Sequence, residues 1–438
     1  MTRMLALIAL VFSAAMARAE VDIQQVESPG GFKAWLVEEP QIPFVALELS
    51  FKGGASLDAP GKRGAINLMT ALLEDGSGDM DAQTFTEATE SLAASFDYDV
   101  GDDTLTISAR VLSENRDEAI ALLRQSIIEP RFDADAIERV RAQIISGIRS
   151  DQRDPDAIAS ATWDKMVFGD HPYGSNSDGT VESVSALSRD DLIAAHSATL
   201  AKDRVYIAAA GDITAEELSS LMDTLLSDLP DTGAPLPQDV DVKTEGGITV
   251  VPFDTPQSVA IFGHEGIARD DPDFFPAYVM NVVLGGGGFE ARLMNEVREK
   301  RGLTYGVYSY LATKDHANLY VGRVASANDR IAEATQVIGD VWADVAQNGV
   351  TQDELDRAKT YLTGGYPLRF DGNGRIAGIL VGMQLEGLEP EYVNTRNAMI
   401  EAVTLDDVKR VASEILKPEA LHFVVVGQPD GLETTVGN

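Results

Sequence analysis

Residues 185–212 read SALSRDDLIAAHSATLAKDRVYIAAAGD, and residues 401–428 read EAVTLDDVKRVASEILKPEALHFVVVGQ. Setting Gly211 on Gly427 gives an offset of 216, which also sets Asp190-Asp191 on Asp406-Asp407. The pair reads as a helix leading into an apolar strand. Upstream, DADAIERVRAQIISG (133–147) answers TQDELDRAKTYLTGG (351–365), with Arg139 on Arg357 at an offset of 218. Two nearly equal offsets over two separate segments predict an internal duplication. The expected division is a signal segment over 1–19, a first domain over 20–232, a linker over 233–244 and a second domain over 245–438. The linker falls in SDLPDTGAPLPQDVD (227–241), rich in Pro, Asp and Gly and without periodicity.

Each half mixes amphipathic helices with alternating strands. TLTISARVL (104–112) sets Leu105, Ile107, Ala109 and Val111 on one face, and FVALELSF (44–51) sets Val45, Leu47, Leu49 and Phe51 opposite Phe44, Ala46 and Glu48. Such alternation marks half-buried antiparallel strands. Strands beside helices without a regular βαβ rhythm favour an α+β fold, each half a mainly antiparallel sheet packed with helices.

The N-terminus, MTRMLALIALVFSAAMARA, has a basic start at Arg3, an apolar run from Met4 to Met16, and Ala17-Arg18-Ala19. That is the pattern of a cleavable secretory signal. The run would span only about 20 Å as a helix, short of a hydrocarbon core of about 30 Å. A mature chain beginning at Glu20, periplasmic or secreted and without a membrane span, is therefore expected. The chain has no cysteine, which excludes thiolate ligands and a Cys nucleophile. Its formal charge of −35 becomes −37 once Arg3 and Arg18 leave, so nucleic acid and anionic membrane surfaces are poor partners.

Conventional binding motifs fail on inspection. No two of His171, His196, His264, His316 and His422 lie three or four residues apart, so no helix offers a pair of imidazoles to one metal. Each is expected to be a surface or capped core histidine, with His171 holding a turn before Pro172. DYDVGDD (97–103) resembles a calcium loop but has Gly101 at the fifth position and Ser108 at the twelfth, so it reads as a turn between strands. LGGGGF (284–289) lacks the Lys-Ser/Thr of a phosphate loop and reads as a close-approach or hinge segment.

Two stretches remain. In GAINLMTALLEDGS (64–77), Ile66, Leu68, Met69, Leu72 and Leu73 predict a helix on a core, which places Asn67, Thr70 and Ala71 together on one face. In GGGGFEARLMNEVREKRGLTYGVYSYL (285–311), Phe289, Leu293 and Val297 predict an amphipathic helix ending in the cations Arg298, Lys300 and Arg301. A turn at Gly302 then leads to an expected strand carrying Tyr305, Tyr308 and Tyr310. Taken alone, this is a helix C-terminus whose cations suit its dipole, followed by an aromatic edge strand.

The second stretch resembles the second-domain signature of the pitrilysin/insulinase-like metallopeptidases, the inverted zincins, whose processing-peptidase-like branch commonly reads LGGG…SRL…EVREKRGLAYSV. The resemblance extends to FKGGASLDAPGKRGAINLMTALLEDGS (51–77), HPYG (171–174), AAAGDIT (208–214) and the duplication itself. It implies a fold forming half of a clamshell. Active members carry H-x-x-E-H on the helix aligned with GAINLMTALLEDG, two zinc-binding histidines around a general-base Glu. Here those positions are Asn67, Thr70 and Ala71, and the stretch matched to the third ligand, QIISGIRSD (143–151), offers Ser146 and Gly147. An amide, a hydroxyl and a methyl cannot replace imidazoles and a carboxylate on zinc.

What the resemblance carries over to this chain is Arg301 and Tyr305, which in the family reach the active site in the opposite half. It implies no cofactor in this chain, zinc on a homologous partner subunit in a heterodimer, a peptide substrate, and catalytic roles for Arg301 and Tyr305 in a composite site. A homodimer is left open. The alternatives are a non-catalytic peptide-binding or scaffold homologue and a self-sufficient peptidase with an unrecognised site.

Overall fold

The computed structural model describes residues 21–435, so the expected signal segment lies outside the described residues. Two sheets organise the chain. The first contains β1 (Gln24–Glu27), β2 (Lys33–Glu38), β3 (Phe44–Lys52), β4 (Ser95–Val100), β5 (Thr104–Leu112) and β6 (Val205–Gly211), in the order β1-β2-β6-β3-β5-β4. The second contains β7 (Gly247–Pro252), β8 (Gln257–Glu265), β9 (Val307–Thr313), β10 (Asn318–Ala327) and β11 (His422–Gly427), in the order β7-β11-β8-β10-β9.

Strand for strand, the second sheet repeats the first without β1. In each, one parallel pair, β2 with β6 or β7 with β11, is followed by antiparallel neighbours only. Gly211 closes β6 opposite Val45, and Val426 of β11 lies opposite Val259. The α+β class and the two homologous halves expected from the sequence are thus the observed architecture.

The helices that matter to the site are α1 (Ala65–Thr70), α2 (Ala134–Asp151), α3 (Pro155–Phe168), α4 (Arg189–Thr199), α5 (Phe274–Asn281), α6 (Gln352–Gly364), α7 (Asn373–Leu385), α8 (Tyr392–Ala402) and α9 (Leu405–Ile415). The offset of 216 is visible in their caps. Ser188 accepts from the backbone N–H of Asp191 while the Asp191 carboxylate accepts from the N–H of Ser188, and Thr404 and Asp407 repeat the same box. A capping box fixes a helix start by satisfying donors that the first turn leaves free.

The halves exchange helices. From the first half, α3 lays Ala159, Trp163 and Val167 on the outer face of the second sheet, against Val259, Ile261, Val424 and Val426. From the second half, α7 lays Ile376, Ala377 and Leu380 on the outer face of the first sheet, against Ala46, Ala208 and Ala210. The alanines of β6 let that helix approach closely, and Gln384 Nε2 donates to Ile207 O at 2.9 Å. Both sheets are therefore covered on both faces.

Segment 233–244 is extended and pinned to both halves. Ala234 N donates to Ala198 O at 2.9 Å, and Val240 N donates to His316 O at 2.9 Å. The DYDVGDD stretch ends β4 and makes the turn to β5, and that turn bridges the halves: Asp102 Oδ2 accepts from Lys314 Nζ at 2.7 Å, and Asp103 Oδ2 accepts from Asp315 N at 3.3 Å. Among the described residues, no helix is long and apolar enough to cross a membrane.

Candidate functional site

Helix α1 is short because Gly64, at φ 92°, opens it and the chain turns after Thr70. Asp58 holds its start, accepting from Gly64 N at 2.8 Å and Ile66 N at 2.9 Å. The apolar set is buried as expected, with Ile66, Leu68, Met69, Leu72 and Leu73 all within 1% of full burial. Asn67, Thr70 and Ala71 do not share an open face. Thr70 is 2% exposed and bonds back to Ile66 O at 2.8 Å, whereas Ala71 caps the helix and is exposed. Asn67 is half-buried and donates through Nδ2 to Asp178 Oδ1 at 2.8 Å. Ser146 and Gly147 lie exposed on α2. Nothing in this donor set suits zinc, and among the described residues no cluster of three His, Asp or Glu side chains is placed to hold a metal.

The histidines have structural partners. His171 Nε2 meets Gln238 O, His196 Nε2 meets Ile127 O, His316 Nδ1 meets Asp239, and His422 Nδ1 meets Gly246 O. His171 also caps the turn at Pro172, its Nδ1 accepting from Tyr173 N at 3.2 Å. His264 Nε2 accepts from Trp342 Nε1 at 3.0 Å, which leaves Nδ1–H to donate to Glu265 O. Burial pushes this imidazole down to about 4, so it is a neutral core group.

The segment carrying Arg301 and Tyr305 departs from expectation. Instead of one amphipathic helix over Phe289–Val297, the chain makes a single tight turn at Gly288–Glu290 and a wide π-helical turn at Met294–Glu299. Upstream, the glycine run serves close approach, as expected: a Cβ at Gly285 would meet Ser309 Oγ at 2.2 Å, and one at Gly286 would meet Asn281 Nδ2 at 2.6 Å. Tyr305 is not in the strand, which begins at Val307; it sits in the loop before β9.

That loop is anchored on both sides of Tyr305. Leu303 is 5% exposed, and the Thr304 hydroxyl bonds Ala325 O at 2.6 Å and Gly306 O at 2.9 Å. Tyr305 projects between these anchors at 89% exposure and bonds to no described residue. Arg301 Nη1 donates to Glu296 O at 2.7 Å and Glu296 Oε2 at 2.8 Å, and Lys300 shares the same carboxylate. These cations, Lys300 foremost, hold the Glu296 carboxyl below its ordinary range. No hydrogen bond or ion pair joins Arg301 or Tyr305 to Asn67, Thr70 or Ala71.

Beside this loop lies a cavity of about 810 Å³ that the sequence reading missed. Gly306 and Tyr308 form one wall, Phe289 and Gly286 another, and Tyr361, Tyr366 and Arg396 the far side. It lies between α5 and α6, the repeats of α1 and α2: at the offset of 218, Gly365 on its lining answers Gly147. The duplication therefore held the one signal that could have pointed to it.

Residues 33–175 match the family model for insulinase (peptidase family M16), and residues 186–362 match the one for the peptidase M16 inactive domain. The chain belongs to peptidase family M16. Among M16 relatives, the non-peptidase homolog YmxG of Helicobacter pylori is 28% identical over 393 residues, 89% of this chain and 90% of that one. An uncharacterized zinc protease of Streptomyces coelicolor is 25% identical over 405 residues, 90% and 87% of the two chains. Of solved structures, a peptidase M16 inactive domain from Pseudomonas fluorescens aligns with TM-score 0.86 at 29% identity, covering 95% of this chain and 100% of that one. A protease from Helicobacter pylori aligns with TM-score 0.83 at 15% identity, covering 92% and 99%, a likeness of fold. The family resemblance read from the sequence is thereby shown, and this member lacks a metal-ligating set among its described residues.

Proposed function

We propose that this M16 chain is an exported subunit that binds no metal and completes a peptide-hydrolysing site on a zinc-bearing homologous partner. The observation that carries this reading is Tyr305: a phenol held at 89% exposure by a loop whose flanks are fixed, with no partner among the described residues. An amphipathic ring with a polar tip, presented this way, is the kind of group that another protein surface can take up. The zinc, its activated water and the general base belong to the partner. This chain contributes the Tyr305 hydroxyl as a donor to the developing oxyanion and the Arg301 guanidinium as a fork for the substrate backbone. For that, Arg301 exchanges one of its bonds to Glu296 for the substrate.

The test is metal content and peptidase activity of the purified chain, alone and mixed with a co-exported homologue bearing H-x-x-E-H. Cleavage only on mixing, lost with Tyr305→Phe, is the expected result. Stoichiometric zinc and cleavage by this chain alone would overturn it. A second reading, a non-catalytic peptide-holding or scaffold homologue, is favoured by the two bonds that occupy Arg301 at home. Turnover in the complex that is indifferent to both residues would select it. The sequence pattern of residues 1–19 supports a periplasmic or secreted setting, tested by N-terminal sequencing of the exported chain.

A further inference from the structure

The aromatic cavity is chemically out of character with the rest of the molecule. The chain carries 70 acidic residues among 438, yet none of the described ones lines this space. Two arginines do. Arg369 stands exposed at the lip, and no carboxylate among the described residues pairs with it. Arg396 is 4% exposed, and its Nη1 donates to Leu362 O and to Asn397 Oδ1, both at 3.1 Å. Its Nε and Nη2 bond to no described atom. The guanidinium lies 4.3 Å from the centroid of Tyr366, which holds it in a planar, partly desolvated setting. A buried cation without a counter-ion is unfavourable in an empty protein and becomes favourable when a ligand brings the anion.

The rest of the lining tells what accompanies that anion. Tyr278, Tyr308, Tyr310, Tyr361 and Tyr366 surround it, with Tyr308 and Tyr310 stacked 6.2 Å apart on β9. β9 is an edge strand, so its outer backbone groups are open to an extended chain running past the cavity mouth. Gly306 and Gly288 add no side chain, and a Cβ at either would meet nothing within 4 Å. The space suits an aromatic or large apolar side chain together with one carboxylate.

The geometry points to a peptide C-terminus as the ligand, its carboxylate on Arg396 and Arg369 and its last side chain among the tyrosines. This goes beyond the composite-site reading and borrows from it only that the ligand is a peptide. A planar carboxylate meets a guanidinium through two parallel bonds, a match that Lys would not reproduce.

The experiment uses the purified chain without any partner and reads fluorescence anisotropy of dye-labelled tetrapeptides. One ends in Ala-Ala-Phe as the free acid, a second is its C-terminal amide, and a third is an amide with Glu before the Phe. The free acid is expected to bind about tenfold tighter than its amide, the size of one charge-assisted bond. Arg396→Gln should erase that difference. Because Arg396 is buried and its variant could misfold, Gly365→Leu serves as the second probe. A Cβ at Gly365 meets only Tyr361 O at 3.8 Å, so the added side chain fills space rather than straining the fold. It should block binding of all three peptides.

Equal binding of acid and amide, or binding unchanged in folded Gly365→Leu, would overturn the assignment. Preference for the Glu-containing amide would overturn it too, by moving the carboxylate to a side chain. No zinc or turnover enters this assay. Its failure therefore leaves the composite-site reading standing, and failure of that reading leaves this result untouched.

Discussion

Asn67 donates to Asp178 across 2.8 Å, so the position that the family resemblance matches to a zinc-binding histidine is held here by an internal tether. Burial raises the Asp178 carboxyl above its ordinary range, with the charge of Asp151 adding to the effect. Restoring the motif with Asn67→His, Thr70→Glu and Ala71→His should fail. Thr70 is 2% exposed, and a carboxylate there would be buried among apolar side chains, a loss of about 3 kcal/mol. Metal analysis and thermal melting check this. Stoichiometric zinc without loss of stability would show that the site still has its old shape.

Tyr305→Phe removes one exposed hydroxyl that no described residue of the chain uses. Stability should stay within about 0.5 kcal/mol, while turnover in the complex with a zinc-bearing partner should fall about a hundredfold. Denaturant melts and steady-state kinetics at matched assembly separate the two effects. Arg301→Ala should act in the same direction and also free Glu296, whose carboxyl would rise toward its usual range.

Asp164 gives the fold a pH signature. It lies on α3 where Lys314, Arg323 and Asp102 face it, and burial is the main reason its carboxyl is pushed up to about 6 from an ordinary 3.8. The folded state therefore holds this proton more tightly than the unfolded state does. Its penalty on stability is full above about pH 6 and fades as the pH falls toward about 4. Asp164→Asn should raise stability by about 2 kcal/mol at neutral pH and by visibly less at about pH 4.5. Melting curves of both proteins across that range decide it; parallel curves would refute the protonation account.

Trp163 sits at 3% exposure on the helix that the first half lends to the second sheet. Trp163→Ala should cost about 3–5 kcal/mol. The loss should shift one common transition rather than melt the second half alone, because α7 couples the first sheet to the same event. Fluorescence and far-ultraviolet dichroism followed together in denaturant would reveal a split if the halves were independent.

The repeats were legible because they are written in periodicity and caps: the matching Asp191 and Asp407 boxes, and the strands ending at Gly211 and Gly427, obey local rules. The family membership was legible because it is written in local signatures, such as the glycine run at 285–288 and the matching segment 51–77. The π-turn at Met294–Glu299 was not, since its apolar spacing at Leu293 and Val297 is the same as that of an ordinary helical turn. Nor was the partnership of Asp102 with Lys314, which lie 212 positions apart. The arginine cavity escaped for the same reason: Tyr308, Tyr361 and Arg396 converge only after the second half has folded.

The reciprocal loan of α3 and α7 also sets an order in time. When the first 232 residues have left the ribosome, the alanine face of β6 is complete but bare, and its cover is still about 140 residues away in the chain, at Asn373–Leu385. Meanwhile α3 waits with Trp163 uncovered for strands not yet made. Neither half can bury its outer sheet face alone, so the covering of both is completed only when the whole chain is available. A nascent chain held in that waiting form keeps two unsealed apolar faces, the alanines of β6 and the Trp163 side of α3, each meant for the other half.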